Sequence, residues 1–212
     1  MQDEVIEIFK RTGALITNSH LVGTSGRHMD TYINKDAFFP HTAEVSRMGE
    51  LFAEKNKHLP IDVVVGPAIG GIILSQWTAY HLSRLLGREI LSVYTEKVPV
   101  GDGDDQVFKR GYDAVVAGKN VLILEDTTTT GGSVAKVVRN VQKAGATIVG
   151  VCVMINRDIT LANSETVGAP FDSLATITAV SYAEEECPLC ASGVPVNTTV
   201  GHGKKFLEKK AA

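Results

Sequence analysis

Apolar, strand-like segments that alternate with helix-like segments constrain the fold of this 212-residue chain more than any other feature. Runs rich in β-branched residues predict strands over residues 61–65, 89–94, 121–124, 147–155 and 174–177. Apolar residues at helical spacing predict a helix over residues 41–58 before these strands, and helices over residues 71–86 and 134–144 between them. Strands that are apolar throughout are usually buried on both faces. The sequence therefore predicts an α/β fold, a mainly parallel sheet with helices on both faces.

Composition allows one globular core and argues against two classes of partner. Hydrophobic residues make up 44% of the chain, enough for one sizeable core with a small appended lobe. The formal net charge of −3 shows no basic excess, so we expect neither a nucleic acid nor an acidic membrane surface as partner. No clear linker interrupts the chain, and we predict a single domain over residues 1–212.

The lack of a recognisable targeting signal in this sequence and the small number of cysteines favour a cytoplasmic location. No apolar run reaches the ~20 residues that span a bilayer, and residues 1–5 are acidic where a secretory signal would be basic. The three cysteines are too few for a disulfide framework. We expect reduced thiols in a cytoplasmic protein.

One polar loop combines groups that suit two parts of a ligand. The predicted strand over residues 121–124 is followed by two acids, four threonines, two glycines and a serine, and then by a predicted helix. Glycines let backbone N–H groups turn inward, and a helix start adds unpaired N–H groups, so this loop suits a phosphate. The paired acids Glu125 and Asp126 would repel a phosphate, but they can accept hydrogen bonds from adjacent sugar hydroxyls. The loop therefore predicts a phosphorylated sugar.

This stretch resembles the signature of the type I phosphoribosyltransferases. That family binds 5-phosphoribosyl 1-pyrophosphate (PRPP) through two acids on the ribose hydroxyls and a loop on the 5-phosphate. The resemblance assigns PRPP binding to Glu125, Asp126, Thr127, Thr128, Thr129, Thr130, Gly131, Gly132 and Ser133. Thr128 is the one departure, because the family usually has an aliphatic residue that packs at this position.

Two more segments resemble the family's pyrophosphate-binding parts. The segment after the first predicted strand resembles the pyrophosphate loop, with expected contacts from Gly66, Ala68, Ile69 and Gly70. Residues 97–110 resemble the catalytic loop, with expected PRPP contacts from Lys97, Lys109 and Arg110. We predict Asp126, Lys97 and Lys109 as the catalytic set, and residues 101–106 as a mobile loop. The family loop is commonly richer in lysine, so the loop catalyst stays open.

The base-binding segments resemble those of family members that use orotate. The resemblance assigns the base to Thr24, Tyr32, Ile33, Thr129 and Arg157. A planar guanidinium suits the carboxylate of such a base. The family often has lysine where this chain has Thr24, so a purine base stays open as the acceptor. We expect a base-binding hood, built from residues 14–40 and part of the C-terminal region.

The resemblance implies an enzyme that transfers ribose 5-phosphate from PRPP to orotate. Mg²⁺ is the implied cofactor, held mainly by PRPP, with Glu125 and Asp126 as candidate protein ligands. Because the family's catalytic loop often reaches the neighbouring subunit's site, the resemblance also implies a homodimer. Two alternatives stay open. One is transfer to a purine or another base, and the other is a non-catalytic regulator that binds PRPP.

A second metal site is suggested by Cys187 and Cys190, which have zinc-knuckle spacing. His202 follows as a third candidate ligand. A closed structural zinc site needs four ligands, so Cys152 or a second chain would have to supply the last one. A pair of reduced thiols on a turn is the alternative.

Overall fold

A computed structural model describes residues 1–23, 25–178 and 180–211 of the chain. The chain divides into two compact units. The first consists of Met1–Val5 and His41–Ile177, and the second consists of Ile6–Pro40 and Thr178–Ala212.

The helices are α1 (Gln2–Arg11), α2 (Lys35–Phe38), α3 (Thr42–Asn56), α4 (Gly70–Leu86), α5 (Tyr112–Val116), α6 (Gly132–Lys143), α7 (Ser164–Val167), α8 (Pro188–Ala191) and α9 (Gly203–Ala211). The strands are β1 (Leu15–Ile16), β2 (Leu21–Val22), β3 (His28–Met29), β4 (Tyr32–Ile33), β5 (Val63–Pro67), β6 (Leu91–Val100), β7 (Gly103–Val107), β8 (Asn120–Thr128), β9 (Thr147–Asn156), β10 (Phe171–Thr176) and β11 (Ser181–Tyr182). Among the described residues, no helix is both long and apolar enough to cross a membrane.

The first unit contains a six-stranded sheet in the order β10-β9-β8-β5-β6-β7. All neighbouring strands are parallel except β6 and β7, which pair antiparallel. The predicted α/β class and mainly parallel sheet are therefore confirmed. Each of the five predicted strands overlaps an observed one, and the three predicted helices correspond to α3, α4 and α6.

Burial on both faces explains why the central strands are apolar throughout. Val63 and Val65 of β5 belong to a buried cluster with Val137 and Val141 of α6. Val64 lies between them in the strand and is also fully buried. Successive side chains of a strand point to opposite faces, so Val64 faces away from α6, on the side where α4 packs against β5.

The segment predicted as a mobile loop forms a β-hairpin instead. Residues 96–100 pair antiparallel with residues 103–107, and a two-residue turn joins them. Gly101 has φ +55° at the first turn position, where two-residue hairpins favour glycine. The polar composition concealed this strand, because no apolar run or apolar alternation marks residues 103–107 and only their pairing with β6 makes them a strand.

The second unit has short strands and a small core. β1 pairs with β4, and β3 pairs with β2 and β11. Its buried apolar side chains include Phe9 and Phe38, whose rings meet edge to face, together with Leu21 and Val22. The unit starts at Ile6, earlier than the predicted hood boundary at residue 14, and its role in base binding stays a prediction.

Candidate active site

The strand order of the first unit creates a crevice at one edge of the sheet. β5 continues through α4 to β6 on one side, while its other neighbour, β8, continues through α6 to β9 on the opposite side. In open α/β sheets, ligands bind beyond the carboxyl ends of the strands at such a switch point. Residues 66–71 span the end of β5 and the start of α4, and residues 125–133 span the end of β8 and the start of α6, so both predicted ligand loops lie at this switch point.

Residues 125–133, here called the PRPP loop, turn directly from β8 into α6. Gly131 has φ +78° at the N-cap of α6, and the Gly132 N–H at the helix start donates to the Thr130 hydroxyl at 3.5 Å. The hydroxyl of Thr128 accepts a hydrogen bond from the Gly131 N–H at 3.0 Å. Thr128 is buried, so it packs as its aliphatic counterparts do and also fixes the loop. A helix start of this kind suits an anion, because the backbone N–H groups of the first turn and the positive end of the helix dipole favour negative charge.

The two acids of the PRPP loop are held by the end of β8. Asp126 is 2% exposed and Glu125 is 8% exposed. The Glu125 carboxylate accepts from the Asp126 N–H at 2.9 Å, and the Asp126 carboxylate accepts from the Thr127 N–H at 2.6 Å. These bonds orient both carboxylates, which is the preorganisation that recognition of two neighbouring sugar hydroxyls needs.

The pyrophosphate loop, residues 66–71, depends on two glycines that pack against each other. A Cβ atom on Gly66 would overlap the carbonyl group of Gly71, and one on Gly71 would lie 2.6 Å from Cδ of Pro67. Glycine is thus required by the fold of the loop itself, in addition to the approach of a ligand. The Ala68–Ile69 peptide bond is cis, and Ile69 is 78% exposed at the tip of the loop.

All three predicted cations of the catalytic loop are paired with carboxylates of the same hairpin. Lys97 lies 2.9 Å from Asp104, while Lys109 and Arg110 lie 3.2 and 2.9 Å from Glu96. Asp104, one of the aspartates in this segment, is therefore a direct partner of the cation Lys97.

The paired acids titrate below their usual ranges. The hydrogen bond from Lys109 is the main cause that lowers the pKa of Glu96. For Asp104, hydrogen bonds from Lys136 of α6 and then from Lys97 lower the pKa. The hairpin is thus tied to α6, the helix that begins at the PRPP loop, through a 2.5 Å contact between Lys136 and Asp104.

Arg157 is placed beside the PRPP loop by the pairing of two strands. Thr128 of β8 pairs with Asn156 of β9, and the Arg157 N–H donates to the Thr128 carbonyl at 2.9 Å. The buried Asn156 side chain anchors the following turn through the Ala162 carbonyl at 3.0 Å. The Arg157 side chain is half-buried next to the start of the loop that holds the acids.

The other predicted base contacts divide between the two units. Thr129 lies in the PRPP loop of the first unit, and Tyr32 and Ile33 form β4 of the second. Thr24 lies outside the described residues. Contact of these residues with a base stays a prediction.

The predicted zinc ligands Cys187 and Cys190 lie in the second unit together with His20 and His28. His202, the third ligand named from the sequence, does not belong to the cluster found among the described residues. Cys152 lies in β9 of the first unit and is fully buried. The two histidines were missed because their positions have no regular spacing to the cysteines, which follow much later in the chain.

This fold and this site define a class of protein. The family model described as "Phosphoribosyl transferase domain" matches residues 34–169, which include the pyrophosphate loop, the hairpin, the PRPP loop and Arg157. The chain belongs to this family.

Two curated relatives carry a more specific name than the family model. The chain is 36% identical over 195 residues to an orotate phosphoribosyltransferase of Thermoanaerobacter sp. (strain X514), covering 92% of this chain and 95% of the relative. It is 33% identical over 193 residues to an orotate phosphoribosyltransferase of Thermus thermophilus, covering 91% and 98%. In fold, it resembles the Mycobacterium tuberculosis H37Rv orotate phosphoribosyltransferase solved with Fe(III) dicitrate, with a TM-score of 0.64, 24% identity, and coverage of 82% of this chain and 94% of that one.

Proposed function

We propose that the chain transfers ribose 5-phosphate from PRPP to orotate, giving orotidine 5′-phosphate and pyrophosphate. One observation carries this proposal: the acid-bearing PRPP loop and the glycine-dependent pyrophosphate loop follow neighbouring strands at the switch point of the sheet. Curated relatives of 33 and 36% identity over nine-tenths of the chain are named as enzymes of this reaction.

In this proposal, the PRPP loop holds the part of the substrate that does not leave. N–H groups at the start of α6 and the loop hydroxyls bind the 5-phosphate. Glu125 and Asp126 accept hydrogen bonds from the ribose hydroxyls. As pyrophosphate departs, positive charge grows at the ribose carbon, and the nearby Asp126 carboxylate stabilises that charge.

The pyrophosphate loop and the hairpin act on the leaving group. Backbone N–H groups of residues 66–70 bind the pyrophosphate, for which the close packing of Gly66 and Gly71 shapes the loop. Lys97, Lys109 and Arg110 exchange their hairpin carboxylates for the pyrophosphate when substrate is present. Exposed ion pairs of this kind are weak, so giving up the hairpin carboxylates costs these cations little free energy.

The donor set at the end of β8 fits Mg²⁺. Glu125 and Asp126 offer buried carboxylate oxygens, the ligand type this hard cation prefers, and they would complement oxygens of PRPP and water. When bound, the ion neutralises charge on the pyrophosphate.

We assign recognition of the acceptor base mainly to Arg157. Its backbone is tied to Thr128, and its guanidinium can pair with the carboxylate of orotate in a bidentate way. Thr129, Tyr32, Ile33 and Thr24 remain proposed base contacts on the basis of the family resemblance.

We further propose a homodimer and a cytoplasmic location. On α4, Tyr80 is 46% exposed, and Trp77 is half-buried beside it. Such an exposed apolar face suits contact with a second copy of the chain. The three free cysteines suit a reducing compartment. Light scattering on the purified protein tests the dimer, and a monomeric mass at micromolar concentration would contradict it.

A panel of separate reactions tests the proposed function. Each contains the protein, PRPP, Mg²⁺ and one base from orotate, uracil, adenine, guanine and hypoxanthine. We expect nucleotide and equimolar pyrophosphate with orotate alone. Turnover of a purine instead would assign the purine alternative. Tight PRPP binding without any transfer would assign the regulator alternative.

A further inference from the structure

Four side chains with metal-binding atoms meet in the second unit and form what we call the His/Cys cluster: His20, His28, Cys187 and Cys190. Their ligand atoms all lie within 4.8 Å of one another. The first three are buried and Cys190 is half-buried. We propose that this cluster binds one zinc ion in tetrahedral Cys₂His₂ coordination, as a structural site that is independent of the proposed transferase activity.

The interatomic distances fit tetrahedral zinc. With Zn–S near 2.3 Å and Zn–N near 2.0–2.1 Å, tetrahedral angles separate sulfur from nitrogen by about 3.6 Å. Nε2 of His20 lies 3.7 Å from Sγ of Cys187 and 3.6 Å from Sγ of Cys190. Sγ of Cys190 lies 3.3 Å from Nδ1 of His28. The two imidazole nitrogens are 2.8 Å apart and must separate by roughly 0.5 Å to share an ion, which a small ring rotation provides.

Hydrogen bonding already presents one ligand lone pair to the cluster. Nδ1 of His20 lies 2.7 Å from the carbonyl oxygen of Val194. Because a carbonyl oxygen can only accept, Nδ1 carries the proton and Nε2 offers its lone pair to the cluster. A backbone carbonyl that fixes the tautomer of a ligating histidine is a common outer-shell partner in metal sites.

His28 supplies the fourth ligand nitrogen. Its Nδ1 atom lies at the cluster, 2.8 Å from Nε2 of His20 and 3.3 Å from Sγ of Cys190. Its Nε2 atom is buried with no hydrogen-bond partner among the described residues, and the ring packs edge-on against Phe206. In the metal-bound form Nδ1 ligates the ion and the proton resides on Nε2.

Local backbone geometry brings the two cysteines to the same point. Cys187 is the N-cap of α8, and Cys190 lies one turn later in that helix. The Cys187 carbonyl accepts from the Ala191 N–H at 3.0 Å, and the Cys190 carbonyl accepts from the Gly193 N–H at 3.0 Å. This tight turn is what zinc-knuckle spacing produces.

The C-terminal segment buries few apolar side chains. Over residues 180–210, whose side chains the structure describes, Cys187 is the single apolar side chain that is fully buried. Small units with thin cores are often held by metals or disulfides. A zinc ion would join His20 and Cys187, which are 167 residues apart, and so tie the two chain segments of this unit together. With four protein ligands, no position is open for a substrate, which is the mark of a structural site.

Metal content is the first test. Protein prepared without a metal-affinity tag, under reducing conditions and without chelator, should contain about one zinc per chain by mass spectrometry of the elements. Cys190→Ser and His20→Gln should each lose this zinc. His202→Gln is the matched control, because His202 lies outside the cluster, and it should keep the metal. Zinc-free wild-type protein that also fails to take up added Zn²⁺ would overturn the proposal.

A second test uses the wild-type chain, so that variants that fail to fold cannot obscure the result. After removal of zinc with a strong chelator, Tm should fall by about 5–10 °C and should recover with Zn²⁺ but not with Mg²⁺. Co²⁺ should give the visible bands of tetrahedral coordination together with thiolate charge transfer. Absence of those bands, or a Cys187–Cys190 disulfide in protein purified under reducing conditions, would contradict the site.

Turnover with orotate separates this proposal from the proposed function. Orotate transfer that persists in the zinc-free variants would support the proposed function and the independence of the zinc site from it. Zinc in a protein that transfers nothing would support the zinc site and contradict the proposed function.

Discussion

The PRPP loop and the His/Cys cluster hold their polar groups in different ways. The PRPP loop is one contiguous run, and a sheet buried on both faces fixes it through β8 and α6. The cluster gathers side chains from two distant segments in a unit whose described C-terminal part buries one apolar side chain. The difference teaches that a large core can position a substrate site through the backbone, whereas a thin core needs a cross-link between side chains. Changes made in one region should therefore leave the other intact.

The largest effect is expected for Asp126→Asn. The amide keeps the size of the side chain but removes the charge that stabilises the transition state, so kcat/KM for orotidine 5′-phosphate formation should fall about 10²–10³-fold. Zinc content and Tm should stay near wild type, because the cluster lies in the other unit.

Asp172→Asn serves as its control. Asp172 is an exposed β10 residue that pairs with Lys55 at 2.6 Å, and the substitution should leave turnover unchanged. Steady-state kinetics with both substrates varied checks the pair. Wild-type turnover in folded Asp126→Asn protein would contradict the role assigned to this carboxylate.

Gly66→Ala should damage both stability and PRPP binding. Its Cβ atom would overlap the Gly71 carbonyl group, so the pyrophosphate loop must open. We expect a loss of about 1–3 kcal/mol in the free energy of unfolding and at least tenfold weaker PRPP binding.

Gly118→Ala is the matched glycine variant. Gly118 has φ +69° with no atom within 4 Å of a built Cβ, so its cost is backbone strain of about 1–2 kcal/mol without any change in PRPP affinity. Calorimetric titration with PRPP distinguishes the two variants. Equal PRPP affinities would show that the packing of Gly66 on Gly71 does not shape the site.

Lys109→Ala should lower kcat by roughly tenfold or more while the fold survives, because one cation for the leaving group is lost. In the free protein, Lys109 holds the pKa of Glu96 low. This pairing therefore persists at neutral pH and is lost only as pH falls through that lowered pKa. Between pH 6 and pH 9, the activity ratio of the variant to wild type should stay flat. A ratio that changes with pH in this range would mean that the pair titrates there.

Arg157→Lys should act on the acceptor more than on PRPP. Lysine keeps the charge but loses the bidentate geometry, so KM for orotate should rise about tenfold while KM for PRPP changes little. Initial rates over both substrates give the two constants. An equal rise in both would place Arg157 at PRPP instead of at the base.

The smallest effect concerns the thiols. Burial raises the pKa of Cys152 to about 12, so at pH 8 its thiol stays protonated and unreactive in the folded chain. Cys187 is buried as well, whereas Cys190 is half-buried. Chelator-treated protein should therefore expose one rapidly reacting thiol, zinc-bound protein none, and denatured protein all three. A disulfide-exchange reagent with optical readout counts them, and rapid reaction of Cys152 in folded protein would contradict its burial.

Much of the first unit was predictable because its information is local. Apolar runs and helical spacing predict the central strands and helices, and the strand–loop–helix order of residues 121–144 predicts the phosphate site. The hairpin strand Gly103–Val107 was wrongly predicted as a loop, since only its partner β6 makes such a polar segment a strand.

The second unit was less predictable because its contacts are non-local. The spacing of Cys187 and Cys190 indicates a metal, but nothing local connects them to His20 and His28. Those contacts exist only once β3 pairs with β2 and β11 and the C-terminal segment folds beside them. Residue spacing therefore indicates only His202, which is near in sequence but outside the cluster.

One competition experiment tests the central claim most directly. The protein, PRPP and Mg²⁺ are mixed with equimolar orotate, adenine, guanine and hypoxanthine, and the nucleotide products are identified by mass. We expect orotidine 5′-phosphate as the dominant product, formed together with an equal amount of pyrophosphate. A purine nucleotide as the main product, or intact PRPP after long incubation, would contradict the proposed function.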